Sequence, residues 1–347
     1  MIKKDILSLD IHELEMLLDE LHEKKFRAKQ VFSWLHSKRV FDFDEMTDLS
    51  KDLRQKLSDN FEIKVPATER KLMSQKDGTV KYLFRLPDGM FVETVLMEYE
   101  YGTSICLSTQ VGCKMGCKFC ASTIAGFERN LEPSEILGQI YAAEQDSGRK
   151  ISGIVLMGIG EPLDNFQNVM KFLELISDPK GTGLSLRHVT LSTCGVVPKI
   201  YELADKKLGL TLSVSLHCPD NEGRSEIMPI NRTYNVNELI KAAEYYVEKT
   251  GRRVTFEYAV IDNVNSDKQS AERLAHLIKG INCHVNLIPV NTVKERDYRS
   301  SRKSAERFKE YLDTMKINAT VRRTLGSDIE AACGQLRRER KEKSRGE

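Results

Sequence analysis

The chain has 347 residues, more than a typical single domain, so the expectation is one large domain with an appendage, or two domains. Its 53 basic and 51 acidic residues nearly cancel to a formal charge of +2, so bulk charge alone says nothing about nucleic acid. Mean hydropathy is -0.40 and no apolar run approaches the length of a transmembrane helix, which argues against a helical membrane span. With no apolar signal segment at its start and only 8 cysteines, the expected setting is the cytoplasm rather than an oxidising compartment.

From Asp10 to about Asn60 the pattern is helical. Ile11, Leu14, Leu17, Leu18 and Leu21 recur at three and four, with Asp10 and Glu13 placed as a capping pair. Phe26, Val31, Phe32 and Leu35 predict a second helix, and Ser50 caps a third that carries Leu53 and Leu57. Residues 1–75 are therefore expected to form a helical accessory domain. Between Thr79 and Met97 the period changes to two, with Val80, Tyr82, Phe84 and Leu86 on one face and Pro87-Asp88-Gly89 as the turn. Residues 76–98 read as a linking β-hairpin that carries Glu93.

From about Ser104 short β-rich runs alternate with amphipathic stretches. The strand candidates are Ile105 to Ser108, Gly153 to Met157, His188 to Ser192, Thr211 to Leu216, Val254 to Val260, His284 to Pro289 and Ala319 to Arg322. Helical stretches between them include Phe166 to Ile176, Val236 to Val247, Ala271 to Ile278 and Ala305 to Met315. Repeated β-then-α units imply a parallel sheet with helices outside, curled as a full or partial barrel over residues 99–335, with a basic tail over 336–347. In such folds the active site lies at the carboxyl ends of the strands.

The loop after the first strand of this series is the most informative run. Cys113, Cys117 and Cys120 stand at C-x3-C-x2-C spacing on a glycine-containing loop, with Phe119 before the last cysteine. Three thiolates suit three corners of a four-iron cluster and leave the fourth iron open to a substrate or cofactor, whereas four cysteines usually serve electron transfer. Zinc also takes cysteines at this spacing, but a structural zinc site needs four ligands and no nearby His or Cys extends the run. Basic clusters at Lys24, Lys25, Arg27 and Lys29, at Arg252 and Arg253, at Arg322 and Arg323, and in the tail are usually solvated faces, and alone make a weak case for a polyanionic partner.

The cysteine loop after the first strand of a β/α barrel resembles the radical S-adenosylmethionine superfamily. Met157-Gly-Ile-Gly-Glu-Pro162, Leu191-Ser-Thr-Cys-Gly195, Ser213-Val-Ser-Leu-His217, His284 to Asn291 and Gly326 to Gln335 narrow the match. Together they resemble the dual-specificity ribosomal and transfer RNA adenine-C2 methyltransferases, over nearly the whole chain. The resemblance implies an α/β fold, a partial (β/α)6-type barrel with an N-terminal helical accessory domain and a β-hairpin. It also implies one [4Fe-4S] cluster on Cys113, Cys117 and Cys120, two S-adenosylmethionine molecules consumed per turnover, 23S rRNA and tRNA as substrates, a flavodoxin-type electron donor, and a monomer without membrane contact.

Taken alone, Gly158-Ile-Gly160-Glu161 is a turn at a strand end, where glycine allows close backbone approach and a carboxylate can accept from an ammonium group. The resemblance makes Gly160 and Glu161 holders of the methionine end of the cofactor. Ser192, Ser215, Leu216 and His217 end strands, which by itself reads as the start of a loop, and the resemblance makes them cofactor contacts, joined by Asn291.

Carbon 2 of adenine lies between two ring nitrogens and is not nucleophilic, so it cannot simply attack a sulfonium methyl. A cysteine thiolate can take that methyl by displacement. A second cofactor molecule, cleaved at the cluster, could then remove hydrogen from the S-methyl group, and the resulting carbon radical can add to carbon 2. The resulting thioether link between enzyme and base needs a second thiol for release. By resemblance Cys333 carries the methyl, Cys106 resolves the link, and Glu93 accepts the proton from carbon 2. Without the resemblance Cys106 and Cys333 read as buried thiols and Glu93 as an exposed structural glutamate. Cys194, Cys218 and Cys283 are expected to be structural. The rival readings are carbon-8 methylation of the same rRNA adenosine and a non-enzymatic zinc protein that binds RNA.

Overall fold

The computed structural model describes residues 3–289, 298 and 300–329. At the front, β1 (Lys4–Asp5) precedes three helices, α1 (Ile11–Glu20), α2 (Arg27–His36) and α3 (Lys51–Asn60), and β2 (Phe61–Glu62) returns to pair in parallel with β1. The caps follow the sequence. The Asp10 carboxylate accepts from the Glu13 backbone N–H at 2.9 Å, Glu13 accepts from that of Asp10 at 2.9 Å, and the Ser50 hydroxyl accepts from Leu53 at 3.2 Å. The inner faces, with Leu14, Leu18, Val31, Phe32, Leu35, Leu53 and Leu57, are buried in the main core, each side chain contributing roughly 1.5–3 kcal/mol.

A mixed sheet follows, ten-stranded among the described residues. Strands β3 (Ala67–Met73), β4 (Val80–Arg85), β5 (Phe91–Tyr99) and β6 (Gly102–Cys106) pair antiparallel in order. After β6, β7 (Gln110–Gly112) pairs antiparallel with β8 (Phe127–Asn130) and closes the cysteine loop. Helix α4 (Pro133–Ser147) then leads to β9 (Ile151–Leu156), which pairs in parallel with β6. The parallel series continues through β10 (Val189–Thr193), β11 (Thr211–Ser215), β12 (Val254–Val260), β13 (Cys283–Pro289) and β14 (Ala319–Val321). Helices α5 (Phe166–Ser177), α6 (Val197–Asp205), α7 (Asn221–Ile227), α8 (Val236–Thr250), α9 (Lys268–Leu277) and α10 (Arg302–Thr314) occupy the crossovers. The sheet is an open series of parallel strands extended by antiparallel ones, a partial β/α barrel.

Two features differ from the sequence expectation. Ala67–Met73, within the segment expected to be helical, is an edge strand of the large sheet, because Thr68, Glu69, Arg70 and Lys71 are all exposed and leave no apolar alternation to read. The hairpin is not a half-exposed linker but part of that sheet, buried on both faces. Val80, Tyr82, Phe84, Val92 and Leu96 join the main core, while Val95 and Met97 on the opposite face line a cavity inside the barrel. Glu93 shares that inner register and is 1% exposed, which overturns its reading as an exposed glutamate.

The front helices share one apolar core with the barrel. His36 Nδ1 and the Tyr141 hydroxyl meet at 3.0 Å in the buried contact between α2 and α4, Arg39 pairs with Glu144, and Lys171 bridges Asp10 and Glu13. Among the described residues no helix is long and apolar enough to cross a membrane.

Candidate active site

The cysteine loop starts at Gly112, whose φ of 84° belongs to glycine and where a Cβ would meet the Gly126 carbonyl oxygen at 1.8 Å. This close approach of the β7 and β8 ends fixes both mouths of the loop. Inside it the Cys120 N–H donates to the Cys117 carbonyl at 3.2 Å, and the Thr123 hydroxyl reaches the carbonyls of Cys117 and Cys120 at 3.2 and 2.9 Å. The Lys118 N–H donates to the Ile227 carbonyl at 2.9 Å, tying the loop to α7.

The three cysteines line one cavity of about 290 Å³ with Gly158, Gly160, Glu161, Ser192, Cys194, Ser215 and His217, at the carboxyl ends of β9, β10 and β11, and with Glu257, midway along β12. Burial first, then the nearby Cys120, Glu161 and Asp164, pushes the Cys113 thiol up to about 12, and burial with the other two thiols raises Cys117. Adjacent thiolates are thus disfavoured without a compensating cation, and an iron cluster supplies one. Among the described residues no three His, Cys, Asp or Glu side chains gather as ligands for a single ion, so the loop lacks the convergence of a mononuclear site. Three neighbouring thiols on one cavity wall fit a polynuclear cluster held through three corners.

Glu161 is nearly buried. One carboxylate oxygen accepts from the Leu163 N–H at 2.9 Å and the other from the Cys194 N–H at 2.7 Å, while its own N–H donates to Gln110 at 2.9 Å. Burial pushes its carboxyl above the ordinary range, and the bonds from Cys194 and Leu163 oppose that. The Cys194 and Thr193 side chains also bond to it, and as a buried anion lining the cavity it suits an ammonium group arriving there. Gly160 has φ 112°, and a Cβ there would stand 2.7 Å from that of Gln110. The turn cannot carry a side chain at that point.

Ser192, Ser215 and His217 line the cavity. His217 has φ 58°, and its Nδ1 accepts from the Ala259 N–H at 2.9 Å, so the ring proton sits on Nε2; burial lowers its pKa to about 3 and keeps it neutral. Its backbone N–H donates to Glu257 and its carbonyl accepts from Asn265, leaving the ring rather than the backbone as its polar handle. Leu216 does not line the cavity, since its side chain belongs to the main core.

Cys106 lines a second cavity, about 460 Å³, with Val95, Met97, Tyr99, Thr320, Arg322, Arg323 and Leu325. Met157, Ile288, Pro289 and Arg322 border both cavities, so the cluster loop and Cys106 face adjoining spaces. Glu93 lies one inward position from Val95, its carboxylate 3.1 Å from the Lys81 ammonium, both fully or almost fully buried. Asn291 and Cys333 lie outside the described residues.

Some site residues escaped the sequence reading. Glu257 lines the first cavity and accepts from Ser213 at 2.7 Å and Asn286 at 2.8 Å; a lone charge at an inward position of the apolar run Val254–Val260 could have found it. Arg224 is fully buried on α7 and donates to the carbonyls of Cys194, Ser215 and Leu216 and to the Asn231 amide, stitching two strand ends. No local pattern marks it. Cys194, expected to be structural, lines the cavity beside Glu161.

Known proteins resemble this arrangement along the chain. The family described as "Ribosomal RNA large subunit methyltransferase N-terminal domain" matches residues 4–63, and the radical SAM superfamily matches residues 107–278. A protein of Lachnoclostridium phytofermentans named "Probable dual-specificity RNA methyltransferase RlmN" is 51% identical over 337 residues, 97% of this chain and 95% of that protein. Its namesake in Clostridium perfringens is 53% identical over 336 residues, 96% of this chain and 97% of that protein. The crystal structure of a radical SAM methyltransferase from Sphaerobacter thermophilus superposes with a TM-score of 0.91 at 41% identity, covering 96% of this chain and 98% of that one. These relatives set aside the zinc protein, and the chain belongs to the dual-specificity RNA methyltransferases of the radical SAM superfamily.

Proposed function

We propose that the protein methylates carbon 2 of an adenosine in the peptidyl-transferase region of 23S rRNA and of the adenosine 3′ of the anticodon in some tRNAs. Family membership supports the substrate class, and the observation that carries the chemistry is the pair of adjoining cavities, one lined by three thiols and Glu161, the other by Cys106. Cys113, Cys117 and Cys120 hold the cluster, and Glu161, Gly160, Ser192, Ser215, His217 and Asn291 hold the cofactor. Leu216 contributes through chain position beside His217. A four-iron cluster with an open iron supplies one-electron cleavage of a sulfonium bond.

The chain's own residues then divide the work. The Cys333 thiolate takes a methyl group, forming a C–S bond as the sulfonium C–S bond breaks. After the methyl carbon, having lost one hydrogen atom, joins carbon 2, the adduct gives up its one unpaired electron, which a bound cluster would be able to take back, and Glu93 accepts the proton that carbon 2 loses. Cys106 attacks the Cys333 sulfur; the disulfide forms as the bond from that sulfur to the base-bound carbon breaks, that carbon keeps the electron pair and takes up a proton to become the methyl group, and both thiols return only after outside two-electron reduction. The base enters unstacked, because the cavities lie inside the barrel mouth.

The test is an oxygen-free reaction of cluster-reconstituted protein with S-adenosylmethionine, a reductant and protein-free 23S rRNA or tRNA, read by nucleoside mass spectrometry. 2-Methyladenosine is expected, and Cys333→Ala is expected to abolish both it and the protein-bound methyl group. 8-Methyladenosine in its place would overturn the regiochemistry, and a fully active Cys333→Ala would overturn the cysteine route.

A further inference from the structure

The β5–β6 turn carries two stacked tyrosines at the edge of the second cavity. The rings of Tyr99 and Tyr101 lie 5.0 Å apart, 9° from parallel. Tyr99 is part of the cavity wall with Cys106, Arg322 and Arg323, whereas Tyr101 is 79% exposed, more than any other large hydrophobic side chain among the described residues. Isolated exposed apolar side chains are ordinary. Here the exposed ring lies directly on the lining of the cavity that holds a proposed reactive thiol.

The pair is held by the backbone. Tyr99 pairs with Gly102 across a two-residue turn, Glu100-Tyr101, and Gly102 has φ 134° with room for no Cβ, which would stand 2.3 Å from the Ser152 hydroxyl oxygen. The turn is pinned against β9, so the platform is preorganised and loses little freedom on binding. Charge sorts what it can bind. Glu98 is paired with Arg149 at 3.3 Å, and Glu100 in the turn repels a phosphate at the tip, while Arg322 and Arg323 favour phosphate at the cavity wall. What Tyr101 offers is therefore a ring face to a base, with the backbone running past the arginines.

We propose that Tyr101, backed by Tyr99, is a stacking platform for the unpaired base next to the target adenosine, so that one nucleotide enters the cavity while its neighbour rests on the ring. This rests on the RNA methyltransferase reading above. Stacking on an aromatic face is tolerant of sequence, which suits an enzyme that takes two RNAs with one site.

The experiment measures equilibrium binding and steady-state methylation of a tRNA anticodon stem-loop and an rRNA fragment by full-length, cluster-loaded wild type, Tyr101→Ala, Tyr101→Leu and Tyr101→Trp. Alanine and leucine should each weaken RNA binding by about 5- to 150-fold, with the loss in KM rather than kcat, and tryptophan should restore it. Leucine keeps apolar area without a π face, so leucine behaving as wild type overturns stacking, as does tryptophan failing alongside alanine. If wild type methylates both RNAs and no variant differs from it, the platform alone is wrong. If wild type methylates neither RNA, the functional reading fails and the platform with it.

Discussion

Lys81 and Glu93 form an ion pair inside the barrel wall, 3.1 Å apart, with exposures of 0% and 1%. Two opposed charges that deep cost about as much to desolvate as they return by attraction, so the pair is weak evidence for stability, but removal of one partner takes the opposite charge away from a buried ion. Lys81→Met is therefore expected to destabilise the fold by about 3–5 kcal/mol in urea titrations, with part recovered in Lys81→Met/Glu93→Gln. Glu93→Gln alone should also lose stability, because Lys81 then faces a neutral amide, and at temperatures below its unfolding transition it should retain S-adenosylmethionine cleavage and lose methylated adenosine. A double variant no more stable than Lys81→Met would mean the two charges do not offset each other. In the sequence, Glu93 sits in a polar-apolar alternation that normally signals one wet face. That inference failed because the second face looks into a barrel rather than into solvent, and no single strand carries that information. The shared cavity of Cys113, Cys117 and Cys120 follows from short spacing within one loop, whereas the roles expected of Gly160 and Glu161 came from the resemblance rather than from their turn.

At the scale of elements, the β3–β4 turn grips the chain that runs on toward Cys333. The Ser74 hydroxyl and Gln75 N–H donate to the Asp328 carboxylate at 2.7 and 2.9 Å, the Gly326 N–H donates to Asp77 at 2.8 Å, and Leu325 packs beside Cys106. Burial alone would raise the Asp77 carboxyl, but the bonds from Gly326 and Thr79 outweigh it and bring it down to about 2; the bond from Ser74 chiefly lowers Asp328. Depressed carboxyls contribute above the ordinary aspartate range and lose that contribution as pH falls toward 2, so the anchor is intact at neutral pH. Asp77→Asn/Asp328→Ala at pH 7 should cut adenosine methylation by about 10- to 100-fold while cofactor cleavage continues, the size expected for lost hydrogen bonds to charged acceptors. Equal losses in both readouts would make the turn a general stability element instead. The hydrogen bond between Ser74 and Asp328 spans 254 positions of sequence, and such pairings leave no local trace. Elements with their own period or cap were legible, down to the bounds of Val254–Val260 and the Asp10 cap, whereas the polar edge strand Ala67–Met73 was not.

For the whole molecule, the question is what keeps the front helices on the barrel as conditions change. His36 lies fully buried at that contact, against Phe32 and the Tyr141 hydroxyl, and burial lowers its pKa to about 3. An unfolded histidine takes up a proton below about pH 6.5, while the folded one stays neutral down to about 3, so the unfolded chain binds more protons across that window. Stability must then fall as pH drops from about 6.5, by up to about 1.4 kcal/mol per pH unit for this group. His217, lowered by burial as well, acts in the same direction. Glu161 and Glu257, raised by burial, take up protons in the folded state first and act in the opposite direction, so the raw slope mixes several groups. The difference between proteins isolates one of them. Urea midpoints of wild type and His36→Gln, measured from pH 7.5 to 5, should diverge in slope, with the variant less stable at pH 7.5 yet losing less on acidification, because glutamine can still meet Tyr141 but cannot be protonated. Parallel slopes would show that His36 titrates as freely in the folded protein as in the unfolded chain, and that acid does not act at the seam between the front helices and the barrel.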